Sequence, residues 1–175
     1  MGAGAGSLKL DLGCGASKQP GFVGVDVREF PGVDVVADLR GPWPWDDGSV
    51  DEAFSSHFVE HLTAPERIHF VNELYRVLRT GAKATIVAPN WASARAYGDL
   101  THQWPPVSPF WFPYLNRAWR SQHAPHNDFY TCDFDVQYRF SVHEQFRDAE
   151  QTQRDFACLF YVDGAQDIFA QLVKL

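Results

Sequence analysis

Cysteine is scarce in this sequence. Cys14, Cys132 and Cys158 make an odd count with no Cys-x-x-Cys pair, so neither a disulfide framework nor a paired-cysteine zinc knuckle is expected. Basic charge is also short, with 15 Lys+Arg against 22 Asp+Glu and a net charge of −7. A general grip on nucleic acid or an acidic membrane needs a basic face, and neither partner is expected. No apolar run approaches the roughly 18 residues of a spanning helix, and Met1–Gly6 does not read as a secretory leader. What remains is a reduced, soluble, cytoplasmic chain. Its 175 residues, 45% of them hydrophobic, suffice for one core without staples. One domain over residues 1–175 is expected, as a monomer or homodimer, with a disordered Gly/Ala tail at 1–6.

Aromatic side chains are plentiful, at 15%, and unevenly placed. Trp91, Tyr97, Trp104, Phe110, Trp111, Phe112, Tyr114 and Trp119 crowd one stretch together with Pro105, Pro106, Pro109 and Pro113. Residues 89–128 therefore read as an insert of different character from the rest.

The remainder alternates between strand and helix patterns. Leu8–Leu12, Phe22–Val27, Val33–Leu39 and Val50–Ser56 are valine- or leucine-rich runs bounded by Gly or Pro, as strands are. Thr63-Ala64-Pro65-Glu66 is a helix start, with a Thr cap, an early Pro and a capping-box Glu. Ile68, Val71, Leu74, Tyr75 and Leu78 follow at helical spacing, and Gly81 is the expected end. Ala84–Ala88 is a fifth strand, so the helix makes a βαβ crossover and a parallel sheet. Phe129–Val142 reads as a long strand or hairpin arm, Gln145–Phe160 as a helix and Ile168–Leu175 as a last strand. The fold class is α/β, a doubly wound and mostly parallel sheet.

Leu12-Gly13-Cys14-Gly15 stands where a strand should open into a ligand loop, and its glycines permit close backbone approach. It is neither a Walker loop nor a dinucleotide fingerprint, because Lys18 occupies the third glycine position. Asp11, Asp26 and Asp38 all fall along the carboxyl edge of one sheet, where α/β proteins bind ligands. Asp26 is placed to take both ribose hydroxyls and Asp38 to accept from an adenine amine. Asp11 is placed to accept from a ligand ammonium or from loop N–H groups. Taken singly, each is more often a turn or cap residue than a ligand contact, and it is the three together that point to a ligand.

These pieces resemble the class I S-adenosylmethionine-dependent methyltransferases. The matching strings are L-D-L-G-C-G (Leu10–Gly15), G-V-D-V (Gly24–Val27), V-V-A-D-L (Val35–Leu39), W-D-D-G-S-V-D-E-A-F-S-S-H-F-V-E-H-L (Trp45–Leu62) and E-L-Y-R-V-L-R-T-G-A (Glu73–Ala82). The resemblance implies a Rossmann-like methyltransferase fold with S-adenosyl-L-methionine as cofactor. It implies that Gly13 and Gly15 pack on the methionine part, that Asp26 holds the ribose and that Asp38 with Leu39 flanks the adenine. Asp11, Cys14, Val27 and Ser56 complete the expected cofactor set. The chain departs from the family after Gly15, where too few residues precede Phe22 for the usual helix, so a reduced first helix is expected.

His57-Phe58-Val59-Glu60-His61 spells the H-x-x-E-H motif of zinc peptidases. That chemistry needs both histidines on one face of a regular helix, whereas here a strand ends just before and a helix is capped just after. No metal is therefore expected, and a zinc hydrolase is the last-ranked function. The same string occurs at this place in small methyltransferases that the chain resembles. His57 is read either as a group facing the methyl donor or as a structural histidine. His123-Ala-Pro-His126 reads as loop.

Methyl transfer aligns a nucleophile with a methyl and, for oxygen nucleophiles, removes a proton, which suits histidine. Arg95-Ala-Tyr-Gly-Asp-Leu-Thr-His102 follows the fifth strand, and resembles a string found there in small methyltransferases. Asp99 and His102 are thus further catalytic candidates, or else a loop-ordering pair. Arg95, Trp104 and Trp111 are the expected acceptor contacts. The aromatic insert is read as a substrate lid, with a mini-core or dimer contact as the other reading. No [N/D]-P-P-[Y/F] string and no Pro-Cys pair is present, which argues against base-modifying DNA methylation. The expected function is methylation of a small molecule or saccharide at oxygen or nitrogen, the alternative being a non-catalytic cofactor-binding or assembly protein.

Overall fold

Short apolar runs that alternate between two faces become strands here, and the computed structural model describes them over residues 7–175. The expected tail disorder at 1–6 lies outside the described residues. The strands are β1 (Lys9–Leu12), β2 (Val23–Asp26), β3 (Val35–Val36), β4 (Val50–Ser56), β5 (Leu78–Pro89), β6 (Phe134–Val142) and β7 (Ala165–Lys174). They form one seven-stranded sheet in the order β3-β2-β1-β4-β5-β7-β6. The first five are parallel, and β7 runs antiparallel to both β5 and β6. The order reverses between β1 and β4, which opens a crevice at their carboxyl ends.

Helix α1 (Ala64–Val77) is the β4–β5 crossover. Both the N–H and the hydroxyl of Thr63 donate to Glu66 Oε2, each at 2.7 Å. Its inner face carries Phe70, Val71, Leu74 and Val77 into a core shared with Leu10, Leu12, Val25 and Ile86. Burying side chains of this size contributes about 1.5–3 kcal/mol each. No helix joins β1 to β2 or β2 to β3, so the reduction expected after the first loop extends to the second crossover.

Several boundaries differ from the sequence reading. The third strand shrinks from Val33–Leu39 to two residues, with Val33 N–H closing a turn onto Phe30. Helix α1 stops at Val77 instead of Gly81, because β5 starts at once. Pairing jumps from Val50–Leu78 to Glu52–Lys83, and Gly81 at φ +78° sits in the resulting bulge. The long strand begins at Phe134 because Thr131 and Cys132 donate their N–H groups to Asn72 on α1. The helix expected over 145–160 is a 3₁₀ turn (Glu144–Phe146) followed by α4 (Gln151–Phe160). The last strand starts three residues earlier than expected, at Ala165.

The insert divides in two. Its second half, a 3₁₀ segment (Pro109–Leu115) and α3 (Arg117–His123), buries Phe112 and Leu115 in the main core. There the buried Arg120 donates to the carbonyls of Tyr114, Tyr130 and Cys132. The first half, with the short helix α2 (Arg95–Gly98), leaves Trp91, Tyr97 and Trp104 exposed, and Phe110 is exposed at the start of the second. Among the described residues no helix is long and apolar enough to cross a membrane.

Candidate active site

At the end of β1 the chain turns through Gly13 (φ +74°) and Gly15 (φ +51°). The N–H groups of Gly13 and Cys14 both donate to Val25 O, which ties the loop to β2. A Cβ on Gly13 would collide with the Phe58 ring, whereas one on Gly15 would meet nothing within 4 Å. Gly15 is thus the glycine that faces open space, and Gly13 is required by the neighbouring chain. Left-handed backbone costs a non-glycine residue about 1–2 kcal/mol and overpacking about 1–3 more. Gly13→Ala should therefore lose about 2–5 kcal/mol of stability, read as a lowered urea midpoint with an unchanged slope.

Asp26 closes β2 half-buried, its Oδ2 accepting Gly15 N–H at 2.9 Å and its Oδ1 accepting Arg28 N–H at 3.0 Å. Each carboxylate oxygen retains a lone pair for a further donor. Asp11 is buried beneath the loop with Oδ2 on Gln19 N–H at 2.7 Å. Of the two roles open to it, this is the loop-ordering one, and burial raises its pKa. Burial and the nearby Asp11 and Asp26 raise the Cys14 thiol as well. Asp38 is held by the guanidinium and N–H of Arg40, which lower its pKa to about 2. Val27 is exposed, Ser56 half-buried, and the Leu39 side chain lies in the core.

His57 follows β4 in the left-handed region (φ +53°), with its N–H on Val87 O at 2.9 Å. Its Nδ1 lies 3.3 Å from Glu60 Oε1, and this carboxylate raises the His57 pKa. Backbone strain of this kind, about 1–3 kcal/mol, collects at functional positions. Beside it Arg95 pairs with Asp167 at 2.8 Å, and Ser141 Oγ donates to the same carboxylate oxygen. Register places Asp167 opposite Pro89, at the carboxyl end of β5.

Asp99 and His102 share no side-chain bond. Asp99 Oδ1 accepts from the N–H and hydroxyl of Thr101, at 2.8 and 2.7 Å, while Thr101 Oγ1 lies 2.9 Å from His61 Nδ1. His102 Nδ1 instead bonds Ala96 O at 3.0 Å, and its ring meets that of His61 edge-on with centroids 4.8 Å apart. The buried Arg67 holds this region together, donating to the carbonyls of Val59, Glu60, Gln103 and Pro105. The H-x-x-E-H segment is a 3₁₀ turn (Val59–His61), not the regular helix that a zinc peptidase needs. Trp104 is exposed nearby, whereas Trp111 donates to Tyr130 OH within the packing of the insert. A cavity of about 610 Å³ between β6 and α4 is lined by residues such as Arg139 and Cys158, and by none of these groups.

Asp167, Arg67 and the Thr101–His61 contact escaped the sequence reading. Arg67 alone left a signal, a charged residue at the helical spacing of Phe70, Val71 and Leu74.

Residues 25–86 match the family described as "Methyltransferase domain". A SAM-dependent methyltransferase from Archaeoglobus fulgidus is similar in structure over 97% of this chain and 87% of its own, with TM-score 0.68 and 22% identity. One from Methanosarcina mazei aligns over 95% and 92%, with TM-score 0.58 and 16% identity. Geranyl diphosphate C-methyltransferase from Streptomyces coelicolor aligns over 97% and 74%, with TM-score 0.56 and 12% identity. No curated protein gives a significant match. The chain has the fold of the class I S-adenosylmethionine-dependent methyltransferases, and the resemblance read from its motifs is borne out.

Proposed function

We propose that the protein is an S-adenosylmethionine-dependent methyltransferase acting on a small molecule or a saccharide, at oxygen or nitrogen. The observation that carries this reading is the pairing of an open Gly15 with Asp26 beside the crevice between β1 and β4. The residues present suit the cofactor. A carboxylate with free lone pairs ends the strand where a ribose would lie, and the glycine turn leaves room for the methionine part. Asp38 remains an acceptor for an amine while Arg40 holds it, with Val27 alongside. Leu39 contributes only backbone. Asp11 and Cys14 order the loop, and Ser56 ends β4 beside it.

The bound cofactor supplies an electrophilic methyl on a sulfonium. His57 stands at the end of β4 to orient the acceptor and take its proton. Arg95, held by Asp167, and the exposed rings of Trp104, Trp91 and Tyr97 offer a cation and flat faces to a polar ring. Small-molecule acceptors also occur among proteins of this fold, as the geranyl diphosphate enzyme illustrates.

Asp26→Ala should weaken S-adenosylhomocysteine binding by about 1.5–3 kcal/mol, the scale of a charge-assisted hydrogen bond. Asp26→Asn, which keeps an acceptor for Gly15 N–H, separates loss of the ligand contact from loss of loop order. Calorimetry showing wild-type affinity in both variants would remove the ribose assignment.

A further inference from the structure

The ligand atoms of Glu60, His61 and His102 gather within 4.8 Å of one another. Glu60 is 3% exposed, and neither of its carboxylate oxygens has a hydrogen-bond partner of good geometry. His57 approaches Oε1 at 3.3 Å, outside good hydrogen-bond geometry, and Oε2 has no hydrogen-bond partner among the described residues; buried charges are otherwise paired or coordinate metals.

The two imidazoles are arranged to complete such a site. Ala96 O can only accept, so His102 Nδ1 carries the proton and Nε2 the lone pair. The Thr101 hydroxyl has one proton, which goes to Asp99, the stronger acceptor at 2.7 Å. Thr101 Oγ1 must then accept from His61 Nδ1–H, which leaves the lone pair on Nε2 there too. Both histidines thus have Nδ1–H donated to an oxygen and Nε2 bare, the tautomer that such second contacts enforce on metal-binding histidines. His57 Nδ1, 3.3 Å from Glu60 Oε1, faces the carboxylate from the other side.

We propose that Glu60, His61 and His102 bind a divalent transition metal ion, with zinc as its chemical type. Two imidazoles and one carboxylate are a set that zinc accepts, with a fourth position left for water or an oxygen of the acceptor. Ligand atoms around such an ion stand about 3.3–3.5 Å apart in a tetrahedral shell, so small side-chain rotations close the site. This is not the H-x-x-E-H arrangement. His57 is not one of the gathered ligands, and His102 is delivered by the Arg67 clamp from beyond β5. The sequence-level expectation of no metal weighs the H-x-x-E-H string, the His123–His126 pair and the lone cysteines, none of which joins His102 to Glu60 and His61. The proposal rests on these three residues and not on the methyltransferase reading.

Chelator-treated protein should bind about one equivalent of zinc per chain, seen by calorimetry with Zn²⁺ alone and by elemental analysis after gel filtration. His61→Ala and His102→Ala should each lose at least about a hundredfold in affinity, and Thr101→Val about ten- to a hundredfold, as for other second contacts. His126→Ala, outside the cluster, should bind like wild type. Cobalt(II) should give the visible absorption of a four- or five-coordinate site in wild type but not in His102→Ala. Absence of stoichiometric zinc in the wild type, or unchanged affinity in folded His61→Ala and Thr101→Val proteins, would overturn the proposal. S-adenosylhomocysteine binding, measured on the same metal-free protein, reports separately on the cofactor reading.

Discussion

His57→Asn is expected to lower methyl transfer by about two to four orders of magnitude, the range for removing a general base. His57 occupies the left-handed region at the carboxyl end of β4, beside the crevice in which the sulfonium methyl would lie. Asparagine tolerates that backbone nearly as well as histidine, whereas alanine does not. The substitution therefore removes the imidazole with little change in folding. Affinity for S-adenosylhomocysteine should be nearly unchanged, because the proposed role of His57 is toward the acceptor and that of Gly15 and Asp26 toward the cofactor. Initial rates with labelled methyl donor, alongside a melting curve, read both effects. A His57→Asn enzyme with normal turnover would reduce this residue to a structural turn.

Arg67→Ala should cost about 3–5 kcal/mol, the scale of removing one partner from a buried charged network. Arg67 is 5% exposed, and its guanidinium serves four carbonyls on two separate segments. Its truncation leaves those oxygens without donors and frees the 101–106 segment from the 3₁₀ turn that carries Glu60 and His61. Arg67→Lys should recover little of the loss, since a point ammonium does not match a fork of carbonyls. Denaturation midpoints check the stability. Zinc titration of the folded fraction checks whether His102 has left its place. A variant as stable as wild type would show that water replaces the guanidinium at small cost.

Local signals made the cofactor half of the molecule legible. The glycine turn after β1, the Asp26 that ends β2 and the Thr63 cap are each decided by neighbours within a few positions, and each lies where the sequence suggests. The side-chain contacts around Asp99 and His102 depend on more distant residues. Thr101 intervenes and takes Asp99, and its own partner His61 lies 40 positions away. The Arg67 contacts with Gln103 and Pro105 span 36 and 38 positions, beyond the reach of any periodicity. Asp167 is likewise set beside Arg95 by the antiparallel register of β7 on β5, 72 positions apart in the chain. The aromatic insert was read as one body, yet its halves part company. Phe112 and Leu115 of the second half have partners in the core, while Trp91, Tyr97 and Trp104 of the first have none there.

Hydrogen–deuterium exchange, with and without S-adenosylhomocysteine, tests the central claim most directly. If the carboxyl edge of β1, β2 and β4 binds the cofactor, amides should gain protection over 13–19, 26–28 and 55–58. Strand β6 and helix α4 should be unaffected. Protection confined to the cavity between β6 and α4, or none at saturating ligand, would contradict the assignment of this edge as a methyl-donor site.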